Sequence, residues 1–109
     1  MPLTRDFKAT IRARAQTDPE FRGALLVEAA QALIDGEPDV TKAVLRDYVN
    51  ATVGFDQLSR QVRIPKKSVM RMLSKSGNPS ISNITMILAY LHKQEGLNLQ
   101  VSRVKATKL

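Results

Sequence analysis

Residues 55–73, FDQLSRQVRIPKKSVMRML, constrain this chain more than any other stretch, because their apolar positions fit two short helices and cannot fit one long one. Leu58 and Val62 fall four apart on one face, with Gln57, Arg60 and Gln61 pointing away. The period then breaks at Arg63-Ile64-Pro65. Proline holds φ near the helical value and has no N–H to lose, so Pro65 suits the first turn of a new helix. In that second helix, from about Lys66, Val69, Met72 and Leu73 share a stripe, and Lys66, Lys67, Ser68, Arg71 and Lys75 cover the remaining surface. Such a face suits phosphates and base edges.

Charge is distributed to match. The formal net charge is +7, and from Gln57 to Gln94 there are seven basic residues (Arg60, Arg63, Lys66, Lys67, Arg71, Lys75 and Lys93) and no acidic one. Between Ala15 and Asp56 the balance reverses: Arg22, Lys42 and Arg46 face Asp18, Glu20, Glu28, Asp35, Glu37, Asp39, Asp47 and Asp56. A basic stretch can be no more than the solvated side of helices. Basic residues without compensating acid on a two-helix pattern point instead to a polyanion.

The run GFDQLSRQVRIPKKSVMRMLSKSGNPSISNITMIL resembles the DNA-binding region of phage-repressor-type helix-turn-helix proteins, and more narrowly the addiction-module antidote proteins, the antitoxins of toxin–antitoxin operons. The resemblance runs over most of the chain. It implies that residues 66–73 enter the major groove, that the loop at 74–79 contacts phosphate, and that a helix over 80–93 completes the core. It also implies repression of the chain's own operon and capture of a small basic ribonuclease-type toxin. The DNA-binding set expected on these grounds is Gln57, Lys66, Lys67, Ser68, Arg71, Lys75, Ser76 and Asn78. One position departs from the pattern: Arg63 stands where the family usually has glycine. A left-handed backbone is costly for arginine, so a wider turn is expected.

The rest of the chain reads as scaffold. Thr4 is a candidate N-cap for a helix over 5–16, with Leu3, Phe7, Ile11 and Ala15 facing inward; its outer residues Arg5, Lys8, Arg12 and Arg14 read as a solvated face or as a DNA-touching arm. Asp18-Pro19 starts a second helix whose stripe is Phe21, Leu25, Ala29, Ala32 and Leu33. Asp39 is expected to cap a third, with Val40, Val44, Leu45, Tyr48, Val49 and Thr52 inward until Gly54. In the SKSGNP segment Gly77 permits a close backbone approach, and Lys75, Ser76 and Asn78 can donate to phosphate; the alternative is an ordinary interhelical loop. Ser80 caps a last helix with Ile81, Ile84, Ile87, Leu88 and Leu91 inward, stopped by Gly96.

After Gly96 the period falls to two: Leu97, Leu99 and Val101 alternate with Asn98, Gln100 and Ser102, the pattern of a half-buried strand. A lone strand cannot satisfy its own backbone. Leu97, Leu99 and Val101 are therefore expected to pair with the same strand of a second copy, or with a partner's sheet.

The fold class expected is all-α: five to six short helices including a helix-turn-helix, plus a C-terminal strand paired across a dimer. One domain of 109 residues divides into a scaffold (1–53), the helix-turn-helix unit (54–95) and the strand (97–104). The chain has no cysteine, a single histidine (His92), no glycine-rich phosphate loop and no metal-ligand spacing. Asp35, Glu37 and Asp39 bracket Gly36 and Pro38 as helix-end residues. Neither an enzyme, a cofactor nor a metal is expected. RNA modules stack bases on exposed aromatics, whereas Phe7, Phe21, Phe55, Tyr48 and Tyr90 fall mostly on core faces. No apolar run approaches the roughly 20 residues that span a bilayer, and a cytoplasmic location is expected. The leading expectation is thus an operator-binding repressor acting as a homodimer on double-stranded DNA and doubling as an antitoxin; a freestanding regulator without a toxin is the rival.

Overall fold

The computed structural model describes the backbone over residues 5–106 and the side chains over 9–106. The proposed Thr4 cap and the side chains of Leu3, Arg5, Phe7 and Lys8 lie outside the described residues. Among those described, the elements are α1 (Arg5–Thr17), α2 (Pro19–Ile34), α3 (Pro38–Ala51), α4 (Gly54–Val62), α5 (Lys66–Met72) and α6 (Ile81–Glu95), with no strand. No helix there is long and apolar enough to cross a membrane.

Local chemistry sets most boundaries. Asp18 caps α2, its Oδ1 accepting from the N–H groups of Glu20 (3.0 Å) and Phe21 (3.2 Å), and Ser80 caps α6 by accepting from the Asn83 N–H (3.1 Å). Asp39 does not cap α3. Glu37 holds the cap position without a side-chain bond, Pro38 begins the helix, and Asp39 turns to Lys42.

The helices share one core. Leu26, Leu45, Tyr48, Val49, Leu58, Val69, Leu73, Ile87 and Leu91 are all essentially sealed from solvent. Burying a side chain of this size stabilises by about 1.5–3 kcal/mol. Three residues expected inside are not: Leu33 is 42% exposed, Val40 38% and Ile81 84%.

One polar network fixes the far end of α6. Glu95 accepts from Arg22 Nε at 2.9 and 3.0 Å, and the Tyr48 hydroxyl donates to the same carboxylate. Arg22 Nη1 also donates to the Ala15 carbonyl (2.8 Å), so α1, α2, α3 and α6 meet at one ion pair. Burial, and then the Glu95 carboxylate beside it, raise the Tyr48 phenol above its ordinary value. With the folded value raised, the stabilisation is complete below the unfolded tyrosine value of about 10 and declines as pH rises beyond it.

The C-terminal strand is a correction. Residues 97–106 form no regular structure. Gly96, in the left-handed region (φ 73°), reverses the backbone so that the Leu97 N–H bonds to the His92 carbonyl (2.9 Å), and Leu97 packs beside the core. Its side chain lies over Gly23, where a Cβ would stand 3.4 Å from Leu97 Cδ1. Leu97 is therefore not a free dimer contact, while Leu99 (36%) and Val101 (79%) are exposed.

Arg63 is another. The turn is not widened; Arg63 takes the left-handed conformation outright (φ 58°, ψ 42°), the one described non-glycine residue with positive φ. Its N–H and that of Ile64 (3.3 Å) both reach the Ser59 carbonyl, and Ser59 Oγ donates to the Ile64 carbonyl (2.5 Å). The left-handed form costs arginine about 1–2 kcal/mol, and glycine would return about 0.4–1 of that through unfolded-state entropy. Arg63→Gly should thus be about 0.5–1 kcal/mol more stable in urea denaturation; a loss of stability would mean that the arginine side chain holds something the turn needs. Tyr48→Phe should lower stability at neutral pH and remove part of the decline above about pH 10, read by melting temperatures across that range. An unchanged alkaline limb would contradict the Tyr48–Glu95 linkage.

Candidate nucleic-acid interface

α5 is a helix of two turns that would not persist alone. Its buried side is Val69, with Leu73 just past its end, both at zero exposure, and Met72 half-buried. Pro65 (φ −54°) leads into it, its carbonyl accepting from Ser68 (2.9 Å) and Val69 (3.0 Å) N–H groups. The opposite face is left with Lys67, Met70 and Arg71 exposed and Ser68 half-buried. Lys67 and Arg71, four apart, stand one turn above the other.

The loop after α5 folds back onto the helix that precedes it. Ser74 Oγ donates to the Arg71 carbonyl (2.6 Å) and the Gly77 N–H to the Ser74 carbonyl (3.0 Å). Gly77 is obligatory here for lack of space rather than for φ: a Cβ would stand 2.0 Å from the Arg71 oxygen and 2.6 Å from that of Met72. The surface it approaches is thus α5 itself. A shallow groove results, lined by Ser68, Arg71, Met72, Ser76, Gly77 and Asn78. Four of the eight expected residues, Ser68, Arg71, Ser76 and Asn78, converge on it, with exposed Lys75 alongside.

The remaining expected residues are placed differently. Gln57 is half-buried, its amide donating to the Tyr90 hydroxyl (2.7 Å), so it ties α4 to α6. Lys66 is half-exposed, and its Nζ lies 3.1 Å from Asp56 Oδ1. Exposed pairs of this kind contribute about 0–1 kcal/mol, so an incoming phosphate can displace Asp56. His92, at the far end of α6, sits 2.6 Å from the Leu88 carbonyl through Nδ1.

Two cations that the sequence presents as counter-charges for acidic neighbours carry the site from behind. Lys42 is 7% exposed, and its Nζ donates to the Lys75 (3.0 Å) and Gly77 (2.6 Å) carbonyls while lying 3.3 Å from Asp39 Oδ1. Two of the ammonium's three N–H donors are thus bonded to carbonyls, and Asp39 supplies the counter-charge. Arg46, one turn later on α3, donates from Nη1 to the Leu73 carbonyl (2.6 Å). The only sequence signal for this role is a Lys and an Arg four apart on one side of α3. Met70, 45% exposed between the basic residues of α5, gives no charge or spacing signal in the sequence; an exposed apolar side chain of this kind can touch a thymine methyl.

No protein-family model, no curated protein and no solved structure matches this chain.

Lys42→Met keeps the apolar stem and removes the ammonium. Hydrogen bonds to charged groups are worth about 1.5–3 kcal/mol, so loss of the two carbonyl bonds should destabilise the chain by about 2–4 kcal/mol in urea denaturation and speed amide exchange over residues 75–78. Unchanged exchange in the loop would mean that α3 does not hold it.

Proposed function

We propose that this chain is a sequence-specific double-stranded-DNA-binding regulator, with α4 and α5 as a helix-turn-helix and α5 as the helix that enters the major groove. The observation that carries the proposal is the outward face of α5. Lys67, Met70 and Arg71 stand clear of the chain's own structure while Val69 and Leu73 are sealed beneath them. Arg71, which shares a groove with Ser68, Ser76 and Asn78, reads guanine in a bidentate manner, worth about 1–3 kcal/mol of discrimination. Lys67 and Lys66 approach base edges or the flanking phosphates, and Lys75, Ser76 and Asn78 hold the backbone. Gln57, committed to Tyr90, is a positioning residue that sets α4 against α6.

One such helix reads only a few base pairs, so the regulator acts as a homodimer on two half-sites about one helical turn, roughly 34 Å, apart. The resemblance to antidote proteins adds a second role, neutralising a small basic ribonuclease-type toxin. Copurification of a coexpressed neighbouring-gene product tests it; clean absence leaves a freestanding regulator.

A duplex selected from random sequence supplies the ligand for the DNA test. Arg71→Ala should weaken binding to that duplex by about 1–3 kcal/mol and to random DNA far less. Lys75→Ala should weaken both alike and reduce the salt slope by about 0.9. Equal losses for Arg71→Ala on both duplexes would make Arg71 a phosphate clamp, and no binding by the unaltered chain would end the proposal.

A further inference from the structure

Two of the three side chains expected in the core but left exposed share one site: Leu33, in the last turn of α2, and Ile81, at the start of α6, line a common groove with Pro38, Asp39, Pro79 and Ile84, over the buried Lys42, while Val40 lies outside it. Its floor is apolar and its edge acidic. Asp39 lines it with a carboxylate 78% exposed, and Asp35 and Glu37 stand in the connection between Leu33 and Asp39. α2 has no basic residue in its last turn, so the negative end of its dipole adds to theirs.

The complementary chemistry is on the same chain. Beyond Leu97, the exposed Leu99 and Val101 are followed by Arg103 and Lys105, which flank exposed Val104, without an acidic residue. Among the described residues neither cation has an ion-pair partner. In the structure this segment does not occupy its own groove: Leu97 lies against Gly23, and Leu99, Val101 and Val104 beyond it are exposed. Leu99 can reach at most about 7 Å past Leu97, short of Leu33, which lies ten residues further along α2 than Gly23, about 15 Å away.

We propose that this groove receives residues 99–105 of a second copy of the chain, Leu99 and Val101 entering the apolar floor and Arg103 and Lys105 meeting the Asp35–Asp39 edge. The exchange is reciprocal, as two-fold symmetry requires, and it replaces pairing between two strands. It rests on the two-copy reading above for its partner and on nothing about DNA. The groove also includes Gly77, Asn78 and Pro79, so an inserted segment touches the loop beside α5.

The test is the mass of the full chain by light scattering, with circular dichroism to monitor folding. The unaltered chain should show the mass of two chains. Ile81→Asp and Val101→Asp, both at strongly exposed positions, should each keep their helicity and raise the dissociation constant by at least about tenfold. A chain carrying Asp35→Lys and Glu37→Lys should dissociate in the same way, and adding Arg103→Glu and Lys105→Glu to it should restore the dimer. If Ile81→Asp unfolds, Val101→Asp and the charge exchange decide. Dimers unaffected by these changes would overturn the proposal and leave the two-copy reading standing. A monomer at every concentration would overturn both, and the Arg71→Ala comparison would still judge DNA binding separately.

Discussion

The Lys42 ammonium sits beneath the loop that follows α5, donating to the carbonyls of Lys75 and Gly77 with the Asp39 carboxylate 3.3 Å away as its counter-charge. A charge only 7% exposed is tolerable only when it is paired and hydrogen-bonded, so this contact dictates the arrangement around it. The last carbonyls of a short helix have no partners within the helix. Here the Leu73 N–H meets the Val69 carbonyl and Ser74 meets that of Arg71, while α3 binds the carbonyls just past the helix, through Arg46 at Leu73 and Lys42 at Lys75 and Gly77, and Gly77 lets the loop lie flat on the helix end. α5 is thus held in place by packing of Val69 and Leu73 on one side and by cations of α3 at its end. Its outward side chains are left with no structural duty.

That division of labour explains why like charges collect there. Lys67, Arg71 and Lys75 repel one another modestly across exposed surface, and the core beneath bears the cost. Lys66 alone has a local counter-charge, Asp56 on α4. At the other end of the molecule the Arg22–Glu95–Tyr48 network anchors α6, against which α4 is fixed through Gln57 and Tyr90. The α4–α5 pair is supported from two directions.

The helical class and nearly every helix boundary were legible in the sequence, because each rests on local chemistry: Asp18 and Ser80 as caps, Pro19 in a first turn, Gly96 as a stop; Pro65 stands one place earlier than expected, at the N-cap of α5. Half of the expected interface residues converge on one groove for the same reason, spacing on a short helix and its loop. What was not legible depends on distant partners. Lys42 and Arg46 look like ordinary counter-charges until residues 27–35 positions away meet them. Arg63 shows that a strained backbone can be held by the two N–H groups meeting Ser59. Period-two alternation after Gly96 reads as a strand, yet the alternation specifies only which side chains share a face. Leu33, Val40 and Ile81 keep helical spacing whether their face meets this chain or another.

The central claim, that the α5 face and its loop meet nucleic acid, is tested most directly by titrating the isotopically labelled chain with a short duplex and following the backbone amides. The account predicts shifts concentrated over residues 66–78, reversed by added salt as counterions compete for phosphate. Shifts spread over the acidic surface of α2, or no shift at low salt, would contradict it.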